Sequence, residues 1–185
     1  MKIGFIGVGF MGRHMARHII DGGHEVTIYD INKSAAEDLL GHGATWAESP
    51  AEVSANNTLI FTSLPTPRDV EQIALGEGGI LSTANSGSTF FDLNTTDPGT
   101  IKRISEKFAI QDVEVLDAPV SGGTTGAEKA TLCVMVGGEK KAYDNIERLM
   151  RNAAEQDVFV RLDMEDHRVT QPTIDIVIAM HAKGL

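Results

Sequence analysis

The sequence predicts an α/β domain: a doubly wound, mostly parallel sheet covered by helices on both faces. Three observations carry that prediction. Short apolar runs alternate with amphipathic segments from residue 2 to residue 152, the pattern of strands joined by helical crossovers. The first run passes into the first amphipathic segment through Gly7, Gly9 and Gly12, spaced G-x-G-x-x-G. The second run ends on an acid, Asp30, 23 residues after Gly7.

The elements follow in order. Lys2–Ile6 is a strand, and Met11–Asp21 is a helix with Met11, Met15 and Ile19 on one face and Ala16 and Ile20 beside them. Gly22-Gly23 stops it. Val26–Asp30 is the next strand. A helix runs from Ser34, read as its N-cap, to Gly41. Ser49-Pro50, Thr66-Pro67 and Asp97-Pro98 each pair a capping side chain with proline at the first helical position. Between them lie the strands Thr58–Leu64 and Thr89–Asn94, and the helix after Asp97 carries Ile101, Ile104 and Phe108. Val113–Asp117 and Thr131–Val136 are further strands, separated by SGGTTG, a glycine-rich loop. Gly137-Gly138 turns the chain into a helix over Glu139–Asn152. These elements read as one domain, with no linker or repeat dividing them.

A glycine fingerprint between a buried strand and a helix is a phosphate-binding device. Gly7 permits the tight turn, Gly9 the approach of a pyrophosphate, and Gly12 the close packing of helix on strand. The N–H groups at the helix start attract the anion. Asp30 stands where a carboxylate accepts hydrogen bonds from an adenosine ribose, and it would repel a 2′-phosphate. The dinucleotide is therefore read as NAD, with NADP less favoured; Lys33, three residues on, is the argument for NADP.

Composition narrows the remaining classes. A domain near 150 residues buries about 70% of its unfolded surface, so a chain of 185 residues can build a core without staples. The net charge of −10 argues against nucleic acid as a partner. One cysteine, Cys133, forbids an internal disulfide and fits a reducing, cytoplasmic setting. No secretory leader is read at the N-terminus, and no apolar run approaches the ~20 residues of a membrane span.

Four segments in order, GFIGVGFMGRHMA, SLPTP, DLNTTDP and DAPVSGGTTGAEKATLCVMVGG, resemble the 3-hydroxyisobutyrate or β-hydroxyacid dehydrogenase family, related to 6-phosphogluconate dehydrogenase. The resemblance spans residues 1 to about 150. It implies a Rossmann-type cofactor domain in which Gly7, Val8, Gly9, Phe10, Met11 and Gly12 form the pyrophosphate loop and Asp30 is the ribose ligand. It also implies that Leu64 and Pro65 border the nicotinamide ribose and that Thr95 touches the cofactor. Asn94 stands where the family has serine. Ser121, Gly122 and Gly123 match the loop that binds the substrate carboxylate, and a hydroxyl beside glycine N–H groups suits an anion. The substrate so implied is a small 3-hydroxy acid.

The family continues into a long helix that bears a catalytic lysine, then an all-helical domain. Residues 163–178 here read DMEDHRVTQPTIDIVI, without lysine, so no catalytic residue is assigned. The expectation is a cofactor domain, residues 1–156, truncated before that lysine. The alternatives are an intact short dehydrogenase with another base, or a non-catalytic binding module on the same fold. The tail, 157–185, resembles a strand–helix piece of proline dehydrogenases, with a strand over Val158–Leu162 and a helix from Thr170 to Lys183. A fusion, an interrupted frame or a chimaera would each produce it. The stretch Ile174–Met180 is apolar on nearly every face, which predicts self-association through that helix.

Weaker constellations are read as structural. His14 and His18 lie one helical turn apart with no third ligand suggested, and Asp163, Glu165 and Asp166 are read as a solvated turn, so no metal site is assigned. Cys133, within an apolar run, is read as a buried, inert thiol.

Overall fold

A computed structural model describes residues 1–138 and the short strand at 160 and 161. In chain order the strands are β1 (Lys2–Ile6), β2 (Glu25–Tyr29), β3 (Thr45–Trp46), β4 (Leu59–Thr62), β5 (Thr89–Asp92), β6 (Glu114–Asp117), β7 (Val120–Ser121), β8 (Cys133–Met135), β9 (Gly137–Gly138) and β10 (Val160–Arg161). The helices are α1 (Gly12–Asp21), α2 (Glu37–Gly41), α3 (Pro50–Asn56), α4 (Pro67–Leu75), α5 (Pro98–Ala109) and α6 (Gly123–Glu128).

The seven-stranded sheet has the order β3-β2-β1-β4-β5-β6-β9. Its strands pair in parallel until β9, which closes the far margin antiparallel to β6. The strand order reverses between β1 and β4. Crevices open at such a switch point, beyond the carboxyl ends of the strands.

Period-two alternation divides the core between the two faces of the sheet. Ile3 and Phe5 of β1, Leu59 and Phe61 of β4, Phe91 of β5 and Leu116 of β6 meet Ala16 of α1 and Leu39 of α2 on one face. Ile6, Ile60, Phe90 and Val115 pack on the other with Val53 of α3, Val70 and Ala74 of α4, and Ile104 and Phe108 of α5. Phe5, Phe61 and Phe91 occupy facing positions on three adjacent strands. Their rings stack in a row, with centroids 6.2 and 4.7 Å apart.

The three proline-led helices begin as predicted. Ser49 Oγ accepts from Glu52 N, Thr66 Oγ1 from Asp69 N, and Asp97 Oδ1 from Thr100 N. At the helix read from Ser34, the capping side chain is instead Asn32, whose Oδ1 accepts from Ser34 N at 3.2 Å. That cap opens a 3-10 turn, Lys33–Ala36, which leads into α2.

Three expectations for the distal half change. SGGTTG is not a loop: Val120 and Ser121 form β7, and the chain enters α6 at Gly123. The run read as a strand over Thr131–Val136 contributes β8 to a separate three-stranded sheet, β10-β8-β7. Gly137 and Gly138 are not a turn but β9, paired with Asp117 and Leu116. In each case the deciding partner is distant in sequence, which local propensity does not register. Cys133 is half-buried in β8 rather than enclosed. A strand was expected over Val158–Leu162, and β10 lies within that range, parallel to β8. The helices expected at Glu139–Asn152 and Thr170–Lys183, the acidic residues Asp163, Glu165 and Asp166, and the tail from 162 onward lie outside the described residues. Among the described residues no helix is long and apolar enough to cross a membrane.

Candidate functional site

The fingerprint turn is held by its own packing at two of its three glycines. Gly7 has φ +89°, and a Cβ there would strike the Ser63 carbonyl. A Cβ on Gly12 would strike the carbonyl of Gly7 and lie 3.1 Å from the Phe5 ring. Gly9 differs: a Cβ there would meet nothing within 4 Å. Among the described residues no contact demands glycine at position 9, and the space before it is open to a ligand. Helix α1 starts beside that space at Met11, without a side-chain cap and without an acidic residue in its first turn. Its N-terminal N–H groups and dipole favour an anion. These features fit a dinucleotide pyrophosphate.

Asp30 follows the tip of β2 and is tied to the turn. Its Oδ2 accepts from Val8 N and its Oδ1 from Asn32 N, each at 2.8 Å. A carboxylate has about four acceptor positions, so each oxygen keeps one for a further donor such as a ribose hydroxyl. Val8 is fully buried, whereas Phe10 is 78% and Ile31 91% exposed, two apolar side chains left in solvent at this end of the sheet. Arg13 lies over the Phe10 ring at 5.7 Å. Lys33 is turned to its neighbours: Nζ is 3.3 Å from Glu48 Oε1 and 4.9 Å from the centre of the Trp46 ring.

Beyond the carboxyl ends of β4 and β5 lies a cleft of about 270 Å³, walled by Met11, Leu64, Pro65, Asn94, Thr95 and Val120 among others. The structure thus brings Met11 of the fingerprint, the pair Leu64 and Pro65, and Thr95 into one cavity, although they are up to 84 residues apart. Ser121 follows Val120, is exposed and pairs with Cys133. Gly122 and Gly123 have φ +139° and +64°, values that L side chains rarely adopt. Through them the chain leaves β7 and enters α6. His18 of α1 pins that helix, with Nε2 3.0 Å from the carbonyl oxygens of Ala127 and Glu128. Among the described residues no group of three metal-ligating side chains occurs, and His14 and His18 gather no third ligand.

Under the cleft lies a polar cluster that the sequence did not announce. Asp92, fully buried at the end of β5, accepts from Thr62 Oγ1 at 2.8 Å and from Thr96 Oγ1 at 2.5 Å. Asn94 Nδ2 donates to the same carboxylate, and Asn94 Oδ1 accepts from Leu64 N at 2.5 Å. Burial pushes the Asp92 carboxyl above its ordinary value, and the hydrogen bonds from Thr96, Asn94 and Thr62 act against that rise. The available signal was an acid ending an otherwise apolar strand at the same edge of the sheet as Asp30.

The family model for the NAD binding domain of 6-phosphogluconate dehydrogenase matches residues 2–163, and so includes the first residues of the tail read as foreign. The chain is 35% identical over 150 residues to 2-(hydroxymethyl)glutarate dehydrogenase of Eubacterium barkeri, covering 81% of this chain and 50% of that one. Among solved structures it resembles a 3-hydroxyisobutyrate dehydrogenase of Mycobacterium tuberculosis with L-serine (TM-score 0.78, 27% identity, 88% of this chain and 54% of that one). It also resembles Psf3 in complex with NADP+ and 2-OPP (TM-score 0.79, 26% identity, 96% and 62%). The chain spans about half the length of the curated relatives it matches. With the glycine turn, its acid and the cleft beyond β4 and β5 in place, the chain belongs to the family of NAD binding domains typified by that of 6-phosphogluconate dehydrogenase.

Proposed function

We propose that this domain binds NAD(H) across the carboxyl ends of β1, β2, β4 and β5 for a β-hydroxyacid dehydrogenase. The observation that carries the proposal is the open face at Gly9, in a turn whose Val8 N–H binds Asp30 and whose Met11 lines the cleft with Leu64. In this reading Gly7, Gly9, Phe10, Met11 and Gly12 surround the pyrophosphate, and Val8 N–H braces Asp30 toward the adenosine ribose. Leu64, Pro65 and Thr95 border the nicotinamide ribose. When bound, the nicotinamide supplies the hydride acceptor; the residues of this chain bind and orient it.

NAD is preferred over NADP on charge. Asp30 would stand against a 2′-phosphate, and Lys33, the nearest cation in sequence, is engaged by Glu48 and Trp46. One similar structure holds NADP+, so the preference belongs to these side chains and not to the fold. Ser121, Gly122 and Gly123 serve the carboxylate of a small 3-hydroxy acid: an exposed hydroxyl stands beside two positive-φ glycines that carry no side chains of their own. Titration calorimetry with NADH and NADPH tests the reading. Tighter binding of NADH supports it; no binding of either at millimolar concentration overturns it. The acidic charge and the single cysteine support a cytoplasmic protein without nucleic acid as a partner. The apolar stretch Ile174–Met180 supports a homo-oligomer, which light scattering would reveal.

A further inference from the structure

The tips of β4 and β5 are parallel neighbours, and past Thr62 the two chains diverge around the cleft. Backbone pairing ends with Leu93 N on Thr62 O, at 3.0 Å. One residue further, the link between the two chains passes to a side chain. Asn94 reaches back so that Oδ1 accepts Leu64 N, while Nδ2 faces the Asp92 carboxylate and lies 3.4 Å from Thr62 Oγ1. Its two ends differ in chemistry: one must accept and the other must donate. The carboxylate below cannot reorient, because Thr62 and Thr96 hold its two oxygens.

We infer that Asn94 is a positioning residue for the cofactor, a polar clamp that uses Asp92 as its anchor to hold Leu64 and Pro65 at the working width of the cleft. The inference rests on the proposed binding of NAD(H). Where the family resemblance has serine, the longer amide of Asn94 spans from the anchor to the Leu64 N–H, offering a donor at one end and an acceptor at the other.

The shape of Asn94 can be kept while its donor is removed. Asn94→Asp is nearly isosteric and retains an acceptor for Leu64, but it sets a second carboxylate against Asp92. Two carboxylates in contact cannot both ionise, so one holds a proton as pH falls and the donor is restored. Among the described residues, the titratable residue in register with Asp92 on the neighbouring strand is Asp117 of β6. The facing residue of β4, Thr62, does not titrate, and among the described residues no ionisable side chain lines the cleft itself.

The test measures NADH affinity of the full chain, of Asn94→Ala and of Asn94→Asp from pH 8 to pH 5.5, with circular dichroism to confirm folding. Both variants should bind about tenfold more weakly at pH 8, the size of one lost hydrogen bond to a buried group. Asn94→Asp alone should recover to within about threefold of the parent at pH 5.5, through protonation of the acid pair. Equal affinity of parent and variants, or a weakened Asn94→Asp that does not recover, overturns the clamp while leaving cofactor binding intact. Failure of the parent itself to bind NADH overturns the cofactor proposal and this inference with it. Should Asn94→Asp not fold, hydrogen exchange at the Leu64 amide decides. It must quicken in Asn94→Ala relative to the parent, and an unchanged rate refutes the clamp.

Discussion

Substituting alanine at Gly9 and at Gly12 should break two different properties. At Gly12 the added methyl meets the Gly7 carbonyl and lies 3.1 Å from Phe5, a buried ring at the centre of the sheet. Neither neighbour can swing away as the end of a flexible side chain could. Overpacking of this kind costs ~1–3 kcal/mol, and the gain from replacing glycine in a helix returns at most ~1 kcal/mol. We take a net loss of about 2 kcal/mol, which for a chain of this size lowers Tm by about 4–8 °C. At Gly9 the methyl meets nothing, and φ is not in the left-handed range. Stability should therefore change by less than about 0.5 kcal/mol, as for an ordinary surface substitution. The same methyl stands where the pyrophosphate would approach and should weaken NADH binding by about tenfold or more, which is ~1.4 kcal/mol. Thermal unfolding and titration calorimetry on both variants read the two effects separately. If Gly9→Ala unfolds as early as Gly12→Ala, or binds NADH as tightly as the parent, the assignment of separate roles is refuted.

Other perturbations have equally definite outcomes. Phe91→Ala removes the end of the aromatic row from a site 1% exposed and should cost ~3–5 kcal/mol, read as a lower urea midpoint with unchanged slope. Asp92 has its pKa raised above the ordinary 3.8 by burial. The folded state therefore holds its proton to higher pH than the unfolded chain, and stability from this group is lost as pH rises from about 3.8 through the raised value. Asp92→Asn should be the less stable protein at acid pH, with its stability falling less as pH rises over that window in denaturation curves. Glu48→Gln removes the negative charge paired with Lys33. Affinity for NADPH should rise by about threefold, in keeping with an exposed ion pair, with NADH unchanged in the same calorimeter.

What could be read from the sequence was what neighbours along the chain decide. The turn at Gly7–Gly12 and the caps at Ser49, Thr66 and Asp97 depend on contacts within a few residues, and the structure has them where expected. Asn32 took the capping role from Ser34 because both are capable acceptors two residues apart, a choice settled only by backbone geometry. The strand Thr45–Trp46 has no apolar run of its own and exists because β2 offers it an edge. The pairing of Gly137 and Gly138 with β6, and of Ser121 with Cys133, joins residues without local strand character to partners that no periodicity reveals. The site followed the same division. The fingerprint and Asp30 are proposed from motifs, and Leu64, Pro65, Thr95 and the Ser121–Gly123 segment from the family resemblance. The Asp92–Asn94 linkage was not visible, because it is assembled from the ends of two strands that meet only in the folded sheet.

Among the described residues the large sheet ends, on both sides, in strands of two residues: β3 beyond β2 and β9 beyond β6. A margin that short offers a passing chain almost no ladder of free N–H and C=O groups on which to build a further strand. The five long strands between them, rich in aromatic and branched residues, would otherwise be a ready template for intermolecular pairing. Growth of β-linked aggregates along these two margins should therefore be resisted until β3 or β9 peels away.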